Sequence, residues 1–347
     1  MYGVQWAGTF HIAKSACYNR SHNILIKESP VLVLITGSSG QIGTNLALRL
    51  LADGHEVFGV DQRVNTWTKA FEYVIQDLGA PYRDFQGGIG GVPYPKPDVV
   101  VHLAANAKVH ELVTYPHRAL ENVMTTYNVL EYCRHQQVPI IFSSSREVYG
   151  DIHRYLTEEA QADFVYTESP YSASKISGEA FIYSYARCYN LPYLVFRFSN
   201  VYGRYDNDIE RMERVIPLFI RRMRDGQPVT VFGREKTLDF TYVDDCVDGI
   251  VRGIERIVSG QVANQTFNLA YGEGNTLVRM AELIAEALQI EATINVQPSK
   301  LAGEVTYYVA NIGRARQLLG YTPQVALADG LRRAVAWNIA WDEEQRR

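Results

Sequence analysis

The sequence lacks paired cysteines. Its four, Cys17, Cys133, Cys188 and Cys246, are scattered without any C-x-x-C spacing. That excludes a disulfide framework and reads as free thiols in a reducing, cytoplasmic compartment. A basic excess is also missing: 34 Lys and Arg stand against 38 Asp and Glu, a formal net charge of −4. No positive field invites nucleic acid, so an anionic ligand must be held by a few local groups. No apolar run reaches the ~18 residues that a membrane span needs. There is no internal repeat, no low-complexity tract and no motif for a bound metal. What remains is ordinary: 47% apolar and 21% charged residues, which argues for a packed globular chain rather than a disordered one. Its 347 residues suffice for one large or two modest domains.

Residues 1–30 carry Lys14, Arg20 and Lys27 but no acid before Glu28. They are expected to be a loosely ordered extension, with an organellar presequence as the alternative.

The most informative stretch is Thr36-Gly37-Ser38-Ser39-Gly40-Gln41-Ile42-Gly43. It follows the apolar run Val31–Ile35 and opens an amphipathic segment, Thr44 to Ala52. That is a strand, a glycine turn and a helix start. Glycines at 37, 40 and 43 let backbone approach a pyrophosphate, and the helix N–H groups then face it. Gly37, Ser39, Gly40, Gln41, Ile42 and Gly43 are thus the expected cradle. A second strand, Glu56 to Val60, ends at Asp61, 18 residues past Gly43, where a carboxylate would accept bonds from ribose hydroxyls. Asp61 favours NAD over NADP; Arg63 is the residue that could oppose this preference.

Expected strands at 31–35, 56–60, 72–76, 98–102, 139–143 and 193–197 alternate with helices at 41–53, 117–136 and 171–189. The pattern predicts an α/β, Rossmann-type doubly wound parallel sheet. Residues 79–97, rich in Gly and Pro, are expected to be a loop. Beyond about 205 the pattern becomes mixed. Helices are predicted at 210–224, 244–258, 276–288 and 330–341, with strands at 229–232 and 239–243. The expected organisation is an NAD-binding domain over 31–205, with segments returning near 233–270, and a smaller substrate domain mainly over 206–347.

Tyr171 and Lys175 are four apart and share a helix face. A free phenol titrates near 10, but a nearby ammonium and a cationic nicotinamide would favour phenolate. Pro170 can start that helix and place Tyr171 at its mouth. Ser143-Ser144-Ser145 end a sheet strand, where a hydroxyl can meet both a substrate oxygen and Tyr171.

With these residues on the page, the chain resembles the extended short-chain dehydrogenases/reductases of the nucleotide-sugar epimerase and dehydratase family, of the UDP-glucose 4-epimerase type. The resemblance is carried by the glycine turn, Asp61, Asp77-Leu78, His102-Leu103-Ala104-Ala105, Asn122, Ser143 to Ser145 with Val148-Tyr149-Gly150, and Ser169-Pro170-Tyr171 with Ser174-Lys175. It continues through Arg197 to Gly203, Asp239 to Asp245 and Leu318 to Pro323, covering about 31 to 340. It implies that Asp77 and Leu78 meet the adenine, Ala104 and Ala105 line the cofactor cleft, and Asn122 fixes it. Tyr171 is implied as base, Lys175 as ribose ligand and tuner, Ser145 as hydroxyl partner, and Asn200 as a substrate contact near the diphosphate. His102, ending an apolar strand, reads as structural.

Three departures stand out. Leu238 and Leu301 occupy positions where many relatives carry diphosphate-clamping arginines, leaving Lys236 and Lys300 nearby as candidate substrate ligands. Lysine offers a point charge rather than a fork. Arg204, Arg211 and Arg214 are candidate substitutes, or solvated charges on a helix. Glu147 matches a glutamate that dehydratases and decarboxylases use, but Arg146 precedes it, and the bland reading is a surface salt link. The leading reading is an NAD-dependent nucleotide-sugar 4-epimerase, a homodimer through helices 117–136 and 171–189 with the aromatics Phe181, Tyr183, Tyr185 and Tyr189. The alternatives are a 4,6-dehydratase or C6 decarboxylase using Glu147, and a non-catalytic dinucleotide-sensing protein.

Overall fold

The strand, turn and helix expected over residues 31–53 form the first unit of a seven-stranded parallel sheet. The computed structural model describes residues 29–150, 167–206, 212, 214–298 and 305–345. The expectations for residues 1–28, Lys300, Leu301 and Arg211 lie outside them. The sheet strands are β1 (Leu32–Thr36), β2 (Glu56–Asp61), β3 (Glu72–Ile75), β4 (Val99–His102), β5 (Ile140–Ser145), β6 (Tyr193–Phe198) and β7 (Gln265–Leu269). Their spatial order is β7-β6-β5-β4-β1-β2-β3. The chain therefore leaves β1 in one direction for β2 and β3, then resumes on the other side with β4. That reversal opens a crevice at the carboxyl ends of β1 and β4.

Both faces of the sheet are covered, so its strands read as near-continuous apolar runs. On one face Val33, Ile35, Val99 and Val101 pack with Leu46 and Leu50 of helix Gln41–Ala52 and Ile250 and Ile254 of helix Val243–Val258. On the other, Leu34, Val100, Ile140 and Phe142 meet Val129 and Leu130 of helix His117–Gln136 and Ile182 of helix Pro170–Tyr189. The segment 79–97 is mostly loop, as composition predicts, with one short hairpin at Gly88–Ile89 and Val92–Pro93. Asn128 Nδ2 fastens its start by donating to the carbonyls of Leu78 and Ala80, both at 2.7 Å.

After β6 the chain builds smaller strand groups. Thr237–Tyr242 pairs with Asn200–Tyr202, Gly274–Thr276 and Tyr307–Tyr308. Val229–Phe232 pairs in parallel with Ile294–Gln297. Of the segments expected to return near 233–270, β7 is the sheet's edge strand and Val243–Val258 covers its face, whereas Thr237–Tyr242 joins the smaller group. Residues 31–347 cluster as one compact unit, so position 205 marks a change of sheet within that unit. Among the described residues no helix is long and apolar enough to cross a membrane.

His102 ends β4 and is buried to 1% exposure. Thr126 Oγ1 donates to the Asn122 carbonyl, so its 3.3 Å contact with Nε2 makes Nε2 the protonated nitrogen. Nδ1 then accepts from Thr36 Oγ1 at 2.6 Å. This tautomer is assigned from those partners. Burial, aided by the Lys175 charge, pushes the imidazole pKa down to about 3, against about 6.5 in an unfolded chain. Between those values the unfolded state takes up a proton that the folded state refuses, so this site makes stability fall as pH drops from about 6.5 and leaves it level above. In His102→Asn that acid-limb contribution should vanish. Urea midpoints at pH 7.5, 6 and 5 check this: the gap between wild type and variant should shrink on acidification, and a constant gap refutes the assignment.

Candidate active site

The glycine turn is a cradle that side chains would fill. Gly37 has φ +74°, and a Cβ there would stand 2.8 Å from the Ala104 amide nitrogen. A Cβ on Gly43 would lie 2.3 Å from the Gly37 carbonyl oxygen. Helix Gln41–Ala52 starts at Gly40 with no side-chain cap and no acid in its first turn. Its first N–H groups and the positive end of its dipole are thus left for an anion. Gly37, Gly40, Gln41, Ile42 and Gly43 all line a cleft of about 620 Å³. Ser39 does not: its N–H donates to Asp61 Oδ2 at 2.9 Å and its hydroxyl to the Arg63 carbonyl at 3.0 Å, bracing the turn from behind. Asp61 Oδ1 also accepts from the Arg63 N–H at 3.0 Å, which fixes the carboxylate at the end of β2 on the cleft wall.

Asp77, Leu78, Ala104, Ala105 and Asn122 line the same cleft. Asn122 holds the turn after β4 from both sides, accepting from the Asn106 N–H at 2.7 Å and donating to its carbonyl at 3.0 Å. Its amide also reaches Ser174 Oγ at 3.2 Å, tying helix His117–Gln136 to helix Pro170–Tyr189. These residues fit a dinucleotide: a backbone cradle for the pyrophosphate, a carboxylate for a ribose and small side chains beside a flat ring.

Ser145, Tyr171 and Lys175 converge farther along this cleft. Ser145 ends β5 and caps the short helical turn Arg146–Tyr149, its Oγ accepting from the Glu147 N–H at 3.2 Å. Helix Pro170–Tyr189 starts as its sequence predicts: Ser169 caps it, accepting from the Ser172 N–H, and Pro170 opens the first turn. Burial pushes the Tyr171 phenol up to about 12; the hydrogen bond with Ser145 works against this, Glu147 reinforces it, and Arg214 and Arg146 oppose it. Lys175 Nζ donates to the Ser143 carbonyl at 2.7 Å and lies 5.9 Å from the Tyr171 ring centroid. Burial pulls its ammonium down to about 8, while Glu179 acts upward. The lesser influences on Tyr171 include two arginines that sequence reasoning had not placed beside it.

Sequence reasoning also passed over the support beneath this corner. Arg197 of β6 pairs with Glu179 at 2.6 Å, both side chains almost fully buried. Ser144 donates to Glu179 at 2.5 Å and Tyr183 at 2.9 Å. An arginine inside the apolar strand Tyr193–Phe198 was the available signal, because a buried guanidinium demands a partner.

On the substrate side, Asn200 lines the cleft and donates through Nδ2 to the Asp239 carbonyl at 2.9 Å. Lys236 and Arg214 line it too, and Leu238 is a buried part of its wall. Arg204 does not reach it, being paired with Asp244 at 2.6 Å. Arg146 and Glu147 pair at 3.0 Å with 12% and 6% of their side chains exposed. The surface salt link weighed for them is therefore a buried one inside the cleft wall.

The profile of the NAD dependent epimerase/dehydratase family matches residues 33–270. A UDP-glucose 4-epimerase of Mycolicibacterium smegmatis is 34% identical over 315 residues, 87% of this chain and 96% of its own. The crystal structure of the UDP-glucose 4-epimerase of Thermotoga maritima, with UDP-glucose, superposes with a TM-score of 0.79 at 28% identity, covering 91% of this chain and 100% of its own. That of a UDP-glucuronic acid 4-epimerase of Bacillus cereus, with UDP-glucuronic acid and NAD, gives 0.78 at 27% identity, covering 89% and 99%. The chain belongs to the NAD-dependent epimerase/dehydratase family, and its cofactor is NAD.

With the Asp61 carboxylate fixed on the cleft wall at the end of β2, its charge should repel a 2′-phosphate, and NADP should bind more weakly than NAD by roughly tenfold or more. Titration of the nucleotide-free protein with each cofactor checks this. Tighter binding of NADP would mean that Arg63 governs the site instead.

Proposed function

We propose that this protein is a nucleotide-sugar 4-epimerase acting on UDP-sugars with tightly held NAD. The observation that carries the reading is the convergence of Ser145, Tyr171 and Lys175 on the cleft that begins at the glycine turn. Relatives and solved structures support it, since several of those it resembles are named as UDP-sugar 4-epimerases. Tyr171 takes the proton of the C4 hydroxyl, while Ser145 holds that oxygen and the phenol in line. Bound NAD accepts the C4 hydride and returns it. Lys175 holds the nicotinamide ribose and adds positive charge near the phenolate. The transient 4-keto sugar turns in the cleft and receives the hydride on its other face. Glu147 is tied to Arg146 at 3.0 Å, which supports a structural use of that carboxylate over proton abstraction at C5. Incubation with a panel of UDP-, GDP- and dTDP-sugars, read by NMR, tests the assignment. A C4-inverted UDP-sugar is expected; a released keto sugar or carbon dioxide would overturn it.

The same reading includes a homodimer in the cytoplasm. Cys133, Cys188 and Cys246 are free thiols, which supports a reducing compartment. Helices His117–Gln136 and Pro170–Tyr189 lie side by side. Of their aromatics, Tyr185 is turned inward to Glu131 at 2.7 Å and Tyr183 to Glu179, whereas Phe181 and Tyr189 are exposed, as is Leu120. That apolar remainder suits a four-helix contact about a two-fold axis.

Three outcomes follow. Tyr171→Phe should lower turnover by about 10²–10⁴-fold while NAD stays bound, because only one hydroxyl is deleted; near-normal turnover would remove Tyr171 as the base. Glu147→Gln should keep most epimerase turnover, and a loss of about a hundredfold would restore the dehydratase chemistry. Light scattering should give twice the 39.2 kDa chain mass, and a monomer mass would refute the dimer.

A further inference from the structure

Arg214 lines the cleft from outside the main sheet. It is the N-cap residue of helix Val215–Arg224. Its side chain nevertheless crosses to the glycine turn, where Nη1 donates to Gln41 Oε1 at 2.5 Å and lies 3.1 Å from Asp206 Oδ1. Gln41 is the first residue of the helix whose N-terminus forms the cradle. It is 7% exposed, it lines the cleft, and its Nε2 is buried without a hydrogen-bond partner. The guanidinium fixes the orientation of this amide, since the opposite flip would set donor against donor. A guanidinium, an unpartnered amide donor and uncapped helix N–H groups therefore surround one point.

The run that carries Asp206 is itself fastened to the first α/β unit. Asn45 Nδ2 donates to the Arg204 carbonyl at 3.2 Å, and the Tyr205 ring meets Trp67 at 5.8 Å between centroids. Asp206, 8% exposed, thereby balances the Arg214 charge at a fixed place. Such an arrangement costs less to keep when an anion completes it, because planar guanidinium forks bind phosphate oxygens in a bidentate manner.

We propose that Arg214 clamps the cofactor's pyrophosphate: its guanidinium leaves the Gln41 carbonyl for the phosphate oxygens, and the Gln41 amide donates to the same anion. This rests on NAD as cofactor and not on the epimerase reaction, so the two can fail separately. A residue that follows the sheet's sixth strand would then hold a group bound by its first helix. The Gln41 contact selects the cofactor's diphosphate over that of the substrate.

Binding to the nucleotide-free full chain tests the proposal, by calorimetry for NAD, ADP-ribose and UDP and by NMR titration for adenosine. Arg214→Met should weaken NAD and ADP-ribose by about ten- to a hundredfold, the span of one charge-assisted hydrogen bond, and leave adenosine unchanged. Arg214→Lys should recover part of the loss, and the salt dependence of NAD binding should flatten in Arg214→Met. Gln41→Ala, which leaves the guanidinium in place, should show a smaller loss with the same ligand pattern. Equal weakening of adenosine, unchanged NAD binding, or a loss confined to UDP would each overturn it.

Discussion

The corner where Ser145, Tyr171 and Lys175 converge depends on one buried ion pair. Arg197 and Glu179 join strand β6 to helix Pro170–Tyr189 at 2.6 Å in a place water does not reach. Glu179 also accepts from Ser144 and Tyr183, and Arg197 donates to Tyr149 at 3.0 Å, so no nitrogen or oxygen of either charged group is left without a partner. Removing one partner of such a pair typically costs about 3–5 kcal/mol, because the other charge is stranded. The pair sits one turn beyond Lys175, which itself holds the Ser143 carbonyl. Strand end and helix are thereby clamped at two successive levels, and Ser145 and Tyr171 inherit their separation from that clamp.

Above this clamp the charges are arranged in opposition. A phenol as deeply buried as Tyr171 resists ionisation, and Glu147 adds to that resistance. Arg146 and Arg214 pull the other way. The Arg146–Glu147 pair leaves little net charge beside the tyrosine, so burial dominates the phenol's raised pKa and the hydrogen bond with Ser145 is the main effect against it. The cleft thus combines an apolar setting, which strengthens each charge effect, with fixed donors that need no rearrangement when the proton leaves.

Much of the fold was legible because its signals are local. Parallel strands covered on both faces must be apolar throughout, and β1 and β4 read that way. Pro170 and Ser169 wrote the start of helix Pro170–Tyr189, and the glycines at 37 and 43 wrote the turn, since no other residue fits those contacts. The contacts that cross the molecule were not legible. Ser39 looks like a cradle residue but turns its hydroxyl to Arg63, because the Asp61 loop lies behind it. The Arg146–Glu147 link reads as surface from sequence and is buried, because burial there depends on the packing around it, Tyr308 included. Arg214 was one of three interchangeable arginines until the fold brought it to Gln41, 173 positions away in sequence.

The central claim is that C4 loses and regains the same hydride within one cleft. A UDP-sugar carrying deuterium at both C4 and C5, incubated with the enzyme in ordinary water and followed by NMR, tests this most directly. The account predicts a product inverted at C4 that keeps its deuterium there, with no exchange of the C5 deuterium. Loss of the C4 label to solvent, or exchange at C5, would contradict it.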